Sequence, residues 1–410
     1  MIPFLEVYDS STGSDVLVGR ARFTLRHNAI STLFTYDESY LAHPLAYAID
    51  PALPLQGGAS HCVGIPGTFR DSSPDRWGRH LITRERENEA IENDVAFHRL
   101  DEVDFLVGVF DRTREGSLRF RKPDSPFLAE ANPVPPLLRL PELLAASRAV
   151  AKNEAGQSQI KDLLDAGSGS LGGARPKASV RDENRLLLAK FSHPHDDWDV
   201  MAWEKTMLDM AHDVGIPVPP SKLVRIGNES ILLLERFDRE GSLVEGKRIP
   251  YMSAMTALQA EDGSSRDYAE LSEEVVYRVD NAKEALIDLF TRLAFFLCVN
   301  NTDDHMRNWG FLRKDATWGL APLFDVNPNP SGDIHRVTSI LGVSGNEEAS
   351  ALWEFASYAG LTSEQARCII NSILDVTAHW KEYAAKNGCS ERERMLFAPM
   401  FSQKRKALSA

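Results

Sequence analysis

Residues 301–325 read NTDDHMRNWGFLRKDATWGLAPLFD, and the spacing inside this stretch decides how the rest of the chain is read. Asp303 and Asn308 stand in a D-x-x-x-x-N pattern. In phosphoryl-transfer catalytic loops that spacing lets the aspartate orient and deprotonate an acceptor hydroxyl while the asparagine ligates a metal ion. The pattern predicts a strand over 309–313, a turn over 314–317 and a returning strand over 318–324 that delivers Asp325. With the turn centred between Ala316 and Thr317, Asn308 and Asp325 become direct cross-strand partners. Two hard oxygen ligands then converge, as Mg²⁺ on ATP phosphates requires. Alone, Asp303, Asp304 and His305 read as a polar turn; joined to the hairpin and Asp325 they read as a catalytic loop.

Upstream, Gly167-Ser-Gly169-Ser-Leu-Gly172 is a G-x-G-x-x-G, a weak signal by itself. A dinucleotide fingerprint follows a strand and opens a helix, whereas here a helical segment precedes the loop and Pro176 with the strand-like LLLAKF follows it. No Gly-Lys-Ser/Thr closes a Walker loop, so a kinase-type loop over phosphates is the reading left. Lys190 ends LLLAK, where an ammonium can neutralise nucleotide phosphates or simply be a solvated strand end. Glu204 on the next helix is a weaker candidate to hold it, since an exposed helical glutamate is the commoner case. The apolar run Ile231-Leu-Leu-Leu234 enters Glu235-Arg-Phe237, a place for an adenine-binding hinge or for a buried strand with a charged end. Zinc at His193, His195 and His305 is disfavoured, because cysteine partners and i, i+4 spacing are both missing.

Working outward, the first 120 residues mix short alternating runs such as FLEVYD and VLVGRARFTL with a more helical stretch over 75–106. Six prolines over 122–141 predict a linker and a domain boundary. Beyond it the order is strand, strand, helix (199–214, stopped by Gly215-Ile-Pro217), strand, strand, with a hairpin turning at Gly227-Asn228. From about 268 onward the pattern is helical: 282–299, 350–359, and one long helix from the capping box Thr362-x-x-Gln365 to Gly388. The expected fold class is α+β: a mixed N-terminal domain (1–125), a linker (126–140), a smaller lobe (141–240) and a mostly helical lobe (241–410).

The 410 residues carry 46 basic and 59 acidic side chains, a net charge of −13, which argues against nucleic-acid binding by the overall field while allowing a local basic face. The apolar fraction of 43% is enough for a full core without staples. Cys62, Cys298, Cys368 and Cys389 show no paired spacing, as expected of free thiols in a reducing, cytoplasmic compartment. The N-terminus has no signal-peptide pattern, and the apolar stretch 286–299 is broken by Asp288 and Arg292, so neither export nor membrane spanning is expected.

Taken together, SPDRWGR (73–79), SLGGARPKA (170–178), LLLAKF, LLLERFDR, NTDDHMRN and APLFDVNPNP (321–330) resemble the HipA-type toxin kinase family, in that family's order and over most of the chain. The resemblance implies a bilobal protein-kinase-like domain and a Ser/Thr protein kinase of a type II toxin–antitoxin module. Asp303 would be the catalytic base, and Asn308 and Asp325 the Mg²⁺ ligands. ATP would meet Gly172, Gly173, Ala174, Lys190, His305 and Asn308, with Glu235 and Phe237 at the adenine. It also implies self-inhibition by phosphorylation of Ser170, with Ser168 as second candidate. A HipB-like helix-turn-helix antitoxin is the implied partner, DNA being reached only through it. The implied substrate is a translation protein such as an aminoacyl-tRNA synthetase. One departure is GGARPK in the loop, where the best-known members carry a Gln-Glu version. A silent corepressor subunit and a small-molecule phosphotransferase are the competing classes; the N-terminal unit of about 120 residues weighs against the latter.

Overall fold

Strand alternation is clearest over Ala29–Tyr36, where Ile30, Thr32, Phe34 and Tyr36 are buried and the residues between them face outward. Such β-branched and aromatic side chains fit a pleated surface with one wet face. The computed structural model describes residues 4–27, 29–128, 134–167, 175–243, 246–331, 335–345 and 347–409. In it, Phe4–Asp9 (β1), Val16–Arg26 (β2), Ala29–Tyr36 (β3), Ala59–Val63 (β4) and Leu118–Arg121 (β5) form an antiparallel sheet in the order β4-β3-β2-β1-β5. Its inner face packs Leu5, Val7, Ala21, Phe23, Phe34 and Phe120 against Phe69, Val103 and Leu106 of two short helices.

The chain divides into two compact units, residues 1–195 with 235–259, and residues 196–234 with 260–410. This division does not fall at the proline-rich segment. Residues 134–136 instead lie along Lys177–Asp182 (β6): the Arg181 N–H donates to the Pro135 carbonyl at 2.8 Å and Arg181 Nε to the Val134 carbonyl at 3.1 Å. Prolines lack the N–H of a regular ladder but keep carbonyls that accept. The first unit continues through helices Leu140–Ala151 and Gln157–Asp165 to the hairpin of β6 with Arg185–Phe191 (β7).

In the second unit, helix Val200–Val214 is capped by Asp199, whose carboxylate accepts from the Ala202 N–H, and stops at Gly215, which adopts φ +95°. Ser221–Ile226 (β8) and Glu229–Glu235 (β9) pair around the expected turn, Gly227 taking φ +60°. Helix Ala282–Val299 is central and buried along Leu289, Phe290, Leu293, Phe296 and Leu297. Its Asp288 and Arg292 pair at i, i+4, and Arg292 Nη1 binds the Ala321 carbonyl at 2.8 Å. No helix of the described residues is long and apolar enough to cross a membrane. The capping box at Thr362 and Gln365 forms, but the single long helix expected there is two, Ser363–Ala378 and Trp380–Lys386, broken at His379. The break lets Trp380 stack on Phe401 of helix Glu391–Ser409 at 4.4 Å, beside Trp203 on Phe397 at 4.0 Å.

The hairpin downstream of the D-x-x-x-x-N pattern also differs from expectation. Gly310–Lys314 pairs with Thr317–Leu320, Lys314 facing Thr317, so the turn is centred between Asp315 and Ala316. Both turn residues have positive φ (48° and 68°), the primed geometry that matches strand twist in two-residue hairpins. Asn308 and Asp325 are therefore not cross-strand partners; both lie beyond the ladder's ends.

Candidate active site

Helix Ala282–Val299 ends because Asn300 turns left-handed (φ 53°). The chain that follows, 301–305, has every carbonyl engaged. Asn301 O accepts from Arg336 Nη1 (2.6 Å), Thr302 O from Val337 N (3.0 Å), and Asp303 O from Asn308 Nδ2 (2.9 Å). Asp304 O accepts from Thr338 Oγ1 (2.8 Å), and His305 O from Asn308 N (2.8 Å). Asn301, Thr302 and Asp304 are buried, whereas Asp303 is exposed.

Asp325 reaches this loop through the asparagines that follow it. Asn327 N donates to Asn301 Oδ1 (3.1 Å) and Asn329 N to Asn300 O (3.1 Å), while Asn300 Nδ2 answers to Asn329 O (2.7 Å) and Ser331 O (3.1 Å). Pro328 and Pro330 hold Asn327 and Asn329 extended, so alternate residues present their N–H groups to the loop. Asp325 itself sits at φ 57°, a costly backbone state for a residue with a Cβ. Partial desolvation raises the proton affinity of Asp303; His305 draws it down and the nearby Asp325 carboxylate pushes it up. Asp303 and Asp325 are thus brought together by the zipped asparagines rather than by the hairpin register. Asn308 commits Nδ2 to the Asp303 carbonyl, which leaves its Oδ1 as the oxygen to offer a cation. The Asp325 carboxylate and the Asn308 amide oxygen are hard donors of the kind that suit a divalent ion such as Mg²⁺.

Beneath Asp303 lies a network that the sequence did not single out. Asp304 and Arg336, both buried, are joined at 2.6 Å through Oδ2 and Nη1, and the hydroxyl of buried Tyr268 donates to the same Oδ2. Glu348 stands 3.5 Å from Arg336 Nε. Burial raises the Asp304 carboxyl against the pull of Arg336, and burial of the Arg336 guanidinium is outweighed by its acidic neighbours, Asp304 first, which keep it charged. Asp304 was visible only as a polar turn residue, and nothing local marks Tyr268 or Arg336.

In the first unit, Lys190 is buried on β7 directly opposite Lys177 of β6. Glu235 ends β9 with its carboxylate 3.3 Å from Arg185 Nη1, and the next N–H, of Arg236, donates to the Leu186 carbonyl. The Phe237 ring lies 6.2 Å from that of Tyr251. Glu204, in the second unit, is a buried helix residue rather than the exposed glutamate that sequence statistics favour. Gly172, Gly173, Ala174, Ser170 and Ser168 lie outside the described residues.

Residues 169–380 match the family described as HipA-like C-terminal domain, and residues 15–106 match the HipA N-terminal domain. No curated protein matches the chain by sequence. Among solved structures, the chain is similar to HipA of Shewanella oneidensis MR-1, seen in a complex with HipB and operator DNA. The TM-score is 0.65 at 15% identity, with 98% of this chain and 96% of that one covered, a likeness of fold. The proinflammatory kinase CtkA of Helicobacter pylori overlaps with a TM-score of 0.42 at 13% identity, over 57% of this chain and 93% of that one.

Proposed function

The chain belongs to the HipA family, and we propose that within it the protein is an ATP- and Mg²⁺-dependent Ser/Thr protein kinase, the toxin of a toxin–antitoxin pair. The observation that carries this reading is the Asp303 loop: five successive bonded carbonyls and one exposed carboxylate, with Asp325 near enough to raise its proton affinity. Asp303 accepts the proton of a serine or threonine hydroxyl, a task favoured by a pKa moved toward working pH. Asn308 Oδ1 and the Asp325 carboxylate hold Mg²⁺, which when bound neutralises charge on the phosphates. By the family resemblance, Lys190 and His305 with the loop of Gly172, Gly173 and Ala174 take the phosphates, and backbone groups of Glu235 and Phe237 take adenine. Glu204 supports Lys190 in this scheme.

The finer parts of the proposal concern regulation and partners. Phosphorylation of Ser170, or of Ser168, adds about −1.5 to −2 charge to a loop that must face a triphosphate, and so switches the enzyme off. A HipB-like helix-turn-helix antitoxin holds the toxin and carries it to DNA, and the substrate is a translation protein, most simply an aminoacyl-tRNA synthetase, in the cytoplasm. As a functional division, distinct from the two compact units, the proposed scheme is 1–125, a linker to 140, a lobe to 240 and a helical lobe to 410. Incubation with γ-labelled ATP and Mg²⁺ tests the core of this. Wild type labels itself or a translation protein and Asp303→Asn does not; a wild type that labels nothing, itself included, leaves the silent corepressor.

A further inference from the structure

We propose that Asp304 and Arg336 are positioning residues for Asp303, their ion pair clamping the loop so that the Asp303 carboxylate keeps one outward orientation. The inference rests on the reading of Asp303 as the group that activates the acceptor hydroxyl.

A buried ion pair is a poor device for stability alone, because desolvating both charges offsets most of their attraction. Here the pair has a second consequence. The Nη1 atom that binds Asp304 Oδ2 at 2.6 Å also binds the Asn301 carbonyl at 2.6 Å. One donor thus ties the Asn301 backbone, on one side of Asp303, to the Asp304 side chain on the other. The Tyr268 hydroxyl, on the same Oδ2, fixes the Asp304 rotamer, and the Glu348 carboxylate lies 3.5 Å from Nε, a charge contact without a hydrogen bond. Val337 and Thr338, next in the chain, bind the carbonyls of Thr302 and Asp304. A segment of three residues therefore docks along four. Thr338 is itself fixed by the parallel pairing of Thr338–Ser339 with Arg266–Asp267, which leads directly into helix Tyr268–Arg278. Rotating the peptides of Asn301, Thr302 or Asp304 would leave a carbonyl of a buried residue unpaired, which disfavours other loop shapes. Asp303, which contributes no side-chain bond to this clamp, inherits its direction from it.

The position of a reacting group matters steeply: a displacement near 1 Å can cost about 10²-fold in rate. Arg336→Lys and Asp304→Asn each leave a buried group badly matched and can fail to fold, so the deciding variant is Asp304→Leu/Arg336→Met. Apolar replacement of a whole buried pair is commonly tolerated. Thr338→Val, which removes one clamp bond and no charge, is its companion. The measurements are kcat and ATP KM for transfer to protein, thermal melting, and hydrogen exchange of the amides of 302–306. The double variant should stay folded at the assay temperature but melt below wild type, since the Tyr268 hydroxyl, the Asn301 carbonyl and buried Glu348 lose their partners, exchange those amides about tenfold faster, and lose about 10²-fold in kcat with ATP KM held within about twofold. Thr338→Val should move the same way by less, and Arg336→Lys, where it folds, should recover part of the rate. A folded double variant with wild-type kcat, or with unchanged exchange at 302–306, overturns the proposal. If wild type transfers no phosphate, the kinase reading is what has failed, and the exchange comparison still decides whether the pair holds the loop.

Discussion

Lys177 and Asp75, 102 residues apart in the chain, form an ion pair 2.6 Å long with both side chains only 3% exposed. The other Asp75 oxygen caps helix Arg76–Glu92 by accepting from Gly78 N at 2.7 Å. One carboxylate therefore ties the SPDRWGR motif to the strand that begins just after the glycine-rich loop. The pair also answers an electrostatic problem, since Lys177 stands directly opposite Lys190 and like charges across a ladder repel. Burial pushes the Asp75 carboxyl up, and Lys177 pulls it back down.

Asp75→Ala should therefore be severe, because it removes the carboxylate from a buried ammonium and a helix cap at once. The expected loss is about 3–5 kcal/mol for the broken pair, with about 1 kcal/mol more for the cap. Asp75→Asn/Lys177→Met, which removes both charges and keeps a capping oxygen, should lose much less. Urea unfolding of the three proteins checks this; equal losses in the single and double variants would mean the ion pair is not the cause.

Asp238 gives a pH signature in the same unit. It is fully buried and accepts from Arg236 Nε (2.7 Å), Arg239 Nη1 (2.7 Å) and Gly116 N (2.8 Å). Burial alone would raise its carboxyl, but Arg236 and Arg239 outweigh that and bring it down to about 2. A carboxyl depressed from an ordinary 3.8 in the folded state stabilises the fold above that value and loses the contribution as pH falls toward 2. The amount is about 2 kcal/mol. The unfolding free energy of wild type should drop between pH 4 and pH 2 by about that much more than that of Asp238→Asn. Parallel pH curves for the two proteins would contradict the assignment.

These two hubs show where sequence reading stops. The alternating runs FLEVYD and VLVGRARFTL, the Gly215 stop and the Thr362 capping box are local patterns, and each forms as the sequence predicts. The loop of Asp303 and Asn308 was legible for the same reason, being one short motif. Its supports were not. Tyr268 and Arg336 lie 36 and 32 residues from Asp304, and no periodicity relates them. The hairpin register failed on a local detail instead: Ala316 adopts φ 68°, a conformation its residue type does not advertise, and the turn centre moves by one position. Asp303 and Asp325 still come together because Asn327 and Asn329 zip to Asn301 and Asn300.

Their proximity is itself measurable. Partial desolvation and the Asp325 carboxylate both raise the proton affinity of Asp303. Asp325→Asn removes a neighbouring negative charge, so the Asp303 pKa should fall, read by carboxyl carbon NMR titration. In the active enzyme a base must be deprotonated, so kcat/KM should decline as pH falls through the raised Asp303 pKa, above the usual carboxylate range. An Asp303 resonance whose titration is indifferent to Asp325→Asn would show that the two carboxylates do not interact.

Asp325 also carries the sharpest separation of chemistry from folding. Its backbone is left-handed, which costs a residue with a Cβ about 1–2 kcal/mol, less for aspartate than for alanine. Asp325→Gly should relieve the backbone and the repulsion of Asp303 together, and melt at or above wild type. Asp325→Ala should be less stable than Asp325→Gly by about 1 kcal/mol. Both should lose Mg²⁺-dependent phosphoryl transfer entirely, since neither retains an oxygen at the position. Calorimetric melting with a transfer assay on the same samples distinguishes the outcomes. Transfer retained by the glycine variant would remove Asp325 from the metal site, whereas a glycine variant that melts far below wild type would make Asp325 a structural tie of the 325–331 segment. The expected pattern, folding intact and transfer gone, places the role of Asp325 in the chemistry and not in the fold.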